Sequence, residues 1–410
     1  MGRPKMTSYL HIRPQASQET DNTVKISAII EGKEGSGKEL WFRLPPEHLS
    51  SVTERADPLV TAMIFPAMRN ATDIRVHGSV SLSLLRNLDE FQAAWNCWRP
   101  DRYHVINVIA DEEIAGDVKV SDKAVAAFSG GLDSCFTVWR HTTGHCGRLK
   151  RNLKAALMVH GFDIPLHEPD VFANAAERSQ AIVESAGLEL IPMACNFREF
   201  GDDWEDEHGA ALASCLSLLS KDFSIGLVAG SHVYDTLLFP WGSNPLTDPM
   251  LSSDAFPIIY DSASVSRLQK AKGISEWEEA MRFLRVCWQG KHKDRNCGGC
   301  LRCIATALCF AAMGVEHPAC LGVPSLDEGV KRLRTLRIKP VAVTRLEEIL
   351  AAAKEAEIQA SWVGALGRCI HRKRRQNRRS SSKLRQGTIE LVRRVLGQDM
   401  YYKIKGLVTQ

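Results

Sequence analysis

The stretch Ser129-Gly-Gly-Leu-Asp-Ser134 follows an apolar run at 124–128 and opens a helix-like pattern at 134–141. Between a strand and a helix, two glycines let the backbone approach an oxyanion, and consecutive N–H groups point inward. The helix N-terminus adds positive potential, and the serine hydroxyls add hydrogen-bond donors. The stretch therefore predicts a pyrophosphate-binding loop that consists of Ser129, Gly130, Gly131, Leu132, Asp133 and Ser134.

The sequence on either side of this loop alternates between apolar strands and amphipathic helices. Strands are expected at 124–128, 155–160, 188–194 and 225–230, with helices at 134–141, 170–186 and 210–219 between them. Strict alternation predicts an α/β fold, in which a parallel sheet is covered by helices on both faces. Ligands of such sheets bind at the carboxyl ends of the strands.

The flanking sequence predicts a domain on each side of this core. At 410 residues the chain exceeds one typical domain. We expect an N-terminal module at 1–120 with a β-hairpin (strands at 23–30 and 39–44), a catalytic domain at 121–320, and a helical C-terminal segment at 321–410. From Lys331 to Gln410 there are 20 Lys and Arg but 6 Asp and Glu, a net +14 against −10 for the remainder. This basic segment would attract phosphates or an acidic protein.

Four cysteines form the second informative pattern. Cys287, Cys297, Cys300 and Cys303 give C-x9-C-x2-C-x2-C, a spacing that suits a tetrahedral structural Zn²⁺ in a knuckle. Two alternatives stay open, a redox C-x2-C pair and an iron–sulfur cluster on three of the four cysteines. The sequence lacks a secretory signal, a myristoylation pattern and an apolar run long enough to span a membrane, so we expect a cytoplasmic protein that makes no membrane contact.

The first motif resembles the PP-loop of the N-type ATP pyrophosphatases, whose pattern S-G-G-x-D-S is matched at each defined position. This resemblance implies an adenine nucleotide alpha hydrolase-like fold, Mg²⁺ with ATP, and cleavage of ATP between the α and β phosphates. An adenylated carbonyl, carboxylate or amide oxygen results, and a nucleophile then displaces AMP. In such folds the adenine lies near the end of the second strand, where His160 is a candidate ATP contact.

Together the loop and the cysteines resemble the 7-cyano-7-deazaguanine synthases over roughly 123–313, although the first cysteine spacing is one residue longer. The flanking segments are more similar to the synthase-like proteins of bacterial antiphage operons, the Qat and type IV CBASS systems. The resemblance implies an ATP-dependent ligase that adenylates the carboxylate of 7-carboxy-7-deazaguanine and passes the acyl group to an amine. The expected acceptor is a partner protein encoded nearby.

The long loop after the fourth strand supplies candidate substrate contacts. Trp241 or Phe239 can stack on a planar base, and Asp248 can accept from its N–H groups, with Asp235 and Asp254 as rivals. Turn-capping aspartates and a core tryptophan are the alternative interpretation. Arg267, Lys270 and Asp133 are the candidate catalytic residues. Arg267 and Lys270, three residues apart on the next helix, carry positive charge that would neutralise the leaving pyrophosphate. The alternative interpretation is that both are ordinary exposed charges on a helix.

Three other functions stay open at this point. One is 7-cyano-7-deazaguanine synthesis with ammonia as the nucleophile. Another is a tRNA-modifying PP-loop enzyme, in which the basic segment holds nucleic acid. The last is a nucleotide-sensing scaffold without catalysis. A charge run alone does not choose among them, because it is more often a solvated face than an RNA site.

Overall fold

The computed structural model describes residues 9–20, 22–32, 37–116, 121–237 and 240–396, without the side chains of Thr236 and of 379–396. These residues divide into a sheet unit, within Met1–Cys297 and Pro318–Leu321, and a helical unit, within Gly298–His317 and Gly322–Gln410. No helix in the described ranges combines the length and the apolar character needed to cross a membrane.

The sheet unit is built on one mixed sheet to which the described residues contribute eleven strands. In chain order they are β1 Tyr9–Pro14, β2 Gln18–Glu19, β3 Val24–Glu31, β4 Gly37–Leu44, β5 Asp73–Ser81, β6 Val108–Ile114, β7 Lys123–Ala127, β8 Asn152–His160, β9 Glu189–Cys195, β10 Ile225–Ala229 and β11 Ile258–Asp261.

The strand order across the sheet is β11-β10-β7-β8-β9-β4-β3-β1-β5-β6, with β2 paired to β3. Strands β7 to β11 are mutually parallel, whereas β4 is antiparallel to its neighbours β9 and β3, and β3 is antiparallel to β1. The expectation of a parallel sheet after residue 120 is therefore confirmed, and the N-terminal strands extend that sheet into a mixed one. The sheet is mixed because β4 of the β3–β4 hairpin pairs antiparallel with β9, the last strand of the parallel half.

If β7 to β11 are numbered 1 to 5, their order across the sheet is 3-2-1-4-5. This is the strand order of doubly wound folds. The helices of this parallel half are α3 Leu132–Thr143, α4 Pro169–Ser185, α5 Trp204–Ser217, α6 Arg267–Gly273 and α7 Glu278–Phe283. Helices α3 and α4 connect strands added on one side of β7, and α5 leads back to the other side. Right-handed crossovers then put α5 on the opposite face of the sheet, so that a crevice opens at the carboxyl ends of β7 and β10.

The N-terminal strands share this sheet and its core. Helices α1 Asp57–Arg69 and α2 Leu82–Trp98 cover one face of their half, where Phe65 packs edge-to-face on Trp95 at 4.9 Å between ring centroids. The same buried cluster contains Val125 of β7 and Leu216 of α5. The expected boundary near residue 120 therefore separates two halves of one sheet, and the 1–120 segment is not an independent module. The hairpin turn at 33–36 lies outside the described residues.

Two ion pairs with buried carboxylates connect α5 to the N-terminal half. Arg69 donates to Glu207 over 2.8 Å, and Arg99 donates to Asp206 over 2.9 Å, while both carboxylates are 1% exposed. Burial raises the pKa of each of these acids, because a charge deep in the core is costly. At the start of the same helix, Asp203 caps by accepting from the N–H of Glu205. The acidic start of α5 is thus a junction between the halves as well as a helix N-terminus.

The helical unit contains α8 Leu301–Ala312, α9 Leu326–Leu333, α10 Pro340–Glu355 and α11 Ser361–Leu396. Helix α8 packs against α9 and α10, and α11 packs against the same two helices. The expected helical segment at 321–410 is therefore helical over its described part. This unit also takes in α8, so its boundary falls earlier in the chain than the sequence predicts.

Candidate functional site

The glycine-rich stretch lies where the sequence predicts, between the carboxyl end of β7 and the start of α3. Gly130 has a φ of +71°, in the left-handed region that favours glycine. The hydroxyl of Ser134 donates to the carbonyl of Gly131 over 3.0 Å and accepts from the N–H of Ser129 at 3.3 Å. Leu132, 1% exposed, anchors the first helical turn in the core. The loop is therefore a fixed turn that presents the N-terminal N–H groups of α3 to the crevice.

The three candidate catalytic residues meet at this turn. Arg267 donates to one carboxylate oxygen of Asp133 over 2.7 Å, and Lys270 donates to the other over 3.2 Å. The ammonium of Lys270 also donates to the carbonyl of Gly230, at the carboxyl end of β10. A capping box at Ser266 starts α6, and a spacing of three residues then puts both cations on one face of the helix.

Burial distinguishes the two cations. The Lys270 side chain is 2% exposed and that of Arg267 is 29% exposed. A buried ammonium is costly unless it is paired, so Lys270 depends on the carboxylate of Asp133. The alternative of two exposed helix charges is therefore wrong for Lys270, whereas Arg267 is partly open to solvent. The arrangement concentrates positive charge beside a loop of backbone donors.

Arg285 is a further loop contact, and sequence reasoning missed it. Its N–H donates to the carbonyl of Gly130 over 2.8 Å, and its guanidinium donates to the carbonyl of Ser129 over 3.1 Å. The side chain is 7% exposed and lies 3.8 Å from a carboxylate oxygen of Asp163. The signal was a lone arginine between the apolar Leu284 and Val286, a context that favours a buried and therefore bonded guanidinium.

Five rings lie near the same carboxyl edge, in the loops after β8 and β10 and in the first turns of α5. We call them the aromatic wall: Phe162, Trp204, His208, His232 and Trp241. Neighbouring centroids lie 4.9 Å apart for Phe162 and Trp204, 5.4 Å for His208 and Trp241, and 5.2 Å for His232 and Trp241. Burial lowers the pKa of His208, whose Nδ1 lies 2.9 Å from the carbonyl of Trp204. The wall is therefore predominantly apolar, and burial disfavours a positive charge on His208.

The predicted substrate contacts in the long loop have different outcomes. Trp241 is half-buried and belongs to the aromatic wall. Asp248 is 1% exposed, and its carboxylate accepts from the hydroxyl of Ser243 at 2.7 Å and from the N–H of Asn244 at 2.9 Å. Burial raises the pKa of Asp248 to about 7. This is the turn-capping arrangement that the sequence left open, and Asp248 is not exposed to a substrate. Phe239 lies outside the described residues.

His160 ends β8 and is used locally. Its Nε2 lies 2.8 Å from the carbonyl of Pro165, and its ring stacks on Phe172 with centroids 4.6 Å apart. Burial lowers its pKa. The turn that follows His160 carries Phe162 of the aromatic wall and Asp163 beside Arg285. His160 therefore holds this turn in place. Phe162 contacts Trp204 of the aromatic wall, and Asp163 lies beside Arg285.

The four cysteines of the knuckle come together as their spacing predicts. Their sulfur atoms all lie within 4.8 Å of one another, and the pairs Cys287–Cys297 and Cys300–Cys303 are each 3.5 Å apart. Tetrahedral Zn²⁺ with sulfurs at about 2.3 Å requires a spacing of about 3.8 Å. The group therefore fits a metal such as zinc, and four thiolates would leave it no open coordination position for chemistry.

Comparison of the chain with protein-family models, with curated proteins and with solved structures gave no match.

Proposed function

We propose that this protein is an ATP-dependent ligase that adenylates the carboxylate of 7-carboxy-7-deazaguanine and transfers the acyl group to an amine. The observation that carries the proposal is the meeting of Asp133, Arg267 and Lys270 beside the 129–134 loop. A turn of backbone donors at a switch point, flanked by two cations on one helix face, suits a polyphosphate.

ATP would place its phosphates on the loop, where the N–H groups of α3 and the hydroxyls of Ser129 and Ser134 can donate. Arg267 and Lys270 have Asp133 as their counter-ion, and a bound pyrophosphate group supplies a second one. Mg²⁺ would accompany the nucleotide and would help to neutralise the charge of its phosphates. Asp133 then orients the side chains of Arg267 and Lys270 toward the phosphates.

The reaction proceeds in two balanced steps. A carboxylate oxygen of the substrate attacks the α phosphorus of ATP, the bond to the β,γ unit breaks, and pyrophosphate leaves with its negative charge. An amine then attacks the acyl carbon, the bond to AMP breaks, and the amine loses one proton. Arg267 and Lys270 act in the first step, because fixed positive charge at a developing anion in a dry site is worth several kcal/mol.

The aromatic wall suits the planar base. Its rings offer flat apolar contact on the edge of the sheet that carries the loop. Asp163 replaces Asp248 as the proposed acceptor for base N–H groups, because its side chain is 36% exposed and follows Phe162 directly. The cysteines, with Zn²⁺, have a structural role in this proposal: they fold the chain that follows Arg285.

The acceptor is proposed to be an amine of a partner protein, in bacterial antiphage defence. This part rests on the resemblance of the flanking segments to the synthase-like proteins of bacterial antiphage operons. The experiment is incubation with ATP, 7-carboxy-7-deazaguanine and the products of neighbouring genes, followed by intact-mass spectrometry. We expect one gene product to gain the deazaguanine acyl mass with the wild type and not with Asp133→Asn. The proposal is contradicted if the wild type and Asp133→Asn both modify the gene product, or if the wild type modifies none of the gene products.

A further inference from the structure

The helical unit contains a basic pocket that the ligase chemistry does not use. Its volume is about 620 Å³, and its lining comes from the end of α9, the segment after it, and α11. Five of its eight lining residues are basic: Lys331, Arg334, Arg337, Arg372 and Lys373. The other three are Thr, Leu and Gln, so the described lining includes no carboxylate to neutralise the cations.

The pocket is held in shape by bonds to its own backbone. Lys373 is 4% exposed, and its ammonium donates to the carbonyls of Arg334 (3.0 Å) and Leu336. Leu333 and Ile338 point into the core of the helical unit, at 0% and 3% exposure. The backbone that carries the exposed side chains of Arg334, Arg337 and Arg372 is thereby held around one opening, so a ligand need not order it.

The composition of the surface favours one class of ligand. Protein interfaces depend on aromatic or aliphatic anchors in desolvated pockets. Leu336 is the one apolar residue of this lining, whereas nucleic-acid interfaces are polar and strongly positive. Along α11 the sequence has eleven Lys and Arg, nine of them Arg, against a single Glu. Arginine suits phosphate because its planar fork donates two parallel hydrogen bonds.

We propose that this pocket, with α11, binds the phosphodiester backbone of a nucleic acid. The ligand is recognised by charge and spacing, not by base sequence, because the described lining lacks an aromatic ring for stacking. Such binding adds a second function to the chain and does not rest on the proposed ligase activity. RNA and DNA carry the same group, and the experiment separates them.

The experiment measures binding of a fluorescent RNA hairpin, and of the DNA hairpin of the same sequence, to the full chain. The pocket variant is R334Q/R337Q/R372Q. The control variant R332Q/R345Q/K354Q removes the same charge from exposed positions of the same unit that do not line the pocket. Titrations run from about 50 to 200 mM salt, because the slope of log affinity against log salt counts the phosphates neutralised. Thermal melting shows whether each variant is folded.

We expect the pocket variant to lose at least about tenfold in affinity and to reduce the salt slope by about 3, one unit for each phosphate contact removed. The control variant should lose less than about threefold, and the preferred hairpin identifies the natural backbone. Equal losses in the two variants would mean diffuse attraction and would overturn the proposal. Absence of binding by the wild type overturns it, and so does displacement of the hairpin by polyglutamate of equal charge, which would point to an acidic protein.

Discussion

The ammonium of Lys270 lies 3.2 Å from the carboxylate of Asp133 and also donates to the carbonyl of Gly230. It thus joins the loop after β7 to the carboxyl end of β10, the two strands that flank the switch point. Since the side chain is 2% exposed, this charge is a fixed part of the site. Its bonds to Asp133 and Gly230 hold the ammonium beside the 129–134 loop.

Lys270→Met tests the role of this charge. We expect pyrophosphate release to fall by at least about 100-fold, because several kcal/mol of stabilisation at the leaving group are lost. Lys272→Met, on the exposed side of the same helix, is the control and should retain the wild-type rate. The measurement is pyrophosphate release at saturating ATP, with a melting curve for each variant. Equal rates for the two folded variants would exclude Lys270 from catalysis.

The cysteine group is expected to hold one zinc per chain. Cys300→Ser should lower both the metal content and the melting temperature, because structural zinc contributes folding free energy directly. Cys97→Ser changes an exposed cysteine elsewhere and should alter neither. Elemental analysis and thermal melting are the measurements. Iron in the purified protein, or a stable wild type without metal, would contradict the zinc assignment.

The raised pKa of Asp248 predicts that the stability of the folded protein depends on pH. Burial raises its pKa to about 7 from about 3.9 in the unfolded chain, so the folded state binds the extra proton between these values. The stability that this proton provides is complete below about pH 4 and is lost as pH rises through about 7. Asp248→Asn stays neutral and should melt at least about 2 °C above the wild type at pH 8, with the gap closing toward pH 5. A gap independent of pH would contradict this account.

Arg69→Met tests whether the N-terminal half is part of the catalytic fold. It leaves Glu207 buried without its cation, which typically costs about 3–5 kcal/mol. Arg102→Met removes a pair with the more exposed Asp202 and Asp203 and should cost about 1 kcal/mol or less. We expect a clearly lower melting temperature for Arg69→Met alone. Equal shifts, or a separate early transition that spares pyrophosphate release, would mean that the two halves fold independently.

The parallel half of the sheet was predictable because its signals are local. Strands β7 to β10 are short apolar runs between amphipathic helices, and the predicted loop sits between β7 and α3. Strand β11 has four residues, which is too short a run to be recognised as a strand from its sequence. Helix α1 is buried on nearly all sides and contains Pro66, so it lacked the polar face and the uninterrupted sequence by which a helix is recognised.

The union of the two halves was not predictable, because it rests on contacts distant in sequence. Strands β4 and β9 pair through Phe42 with Cys195 and Arg43 with Ala194, a register that no local pattern specifies. Arg69 and Glu207 are likewise distant along the chain. Within the site, the motif residues were identifiable by type and spacing. Arg285 was not, because its contacts to the loop are mostly to backbone carbonyls.

The most direct test of the proposed chemistry follows one oxygen atom. 7-carboxy-7-deazaguanine labelled with ¹⁸O in its carboxylate is incubated with the protein, ATP, Mg²⁺ and ammonium as a simple amine, and AMP is analysed by mass spectrometry. In the acyl adenylate, one carboxylate oxygen bridges the acyl carbon and the α phosphorus. Attack of the amine on the acyl carbon breaks the carbon–oxygen bond, so this oxygen leaves with AMP. We expect AMP that contains one ¹⁸O, in amounts equal to pyrophosphate, and none of either with Asp133→Asn. Unlabelled AMP, or ADP with phosphate, would contradict the proposal.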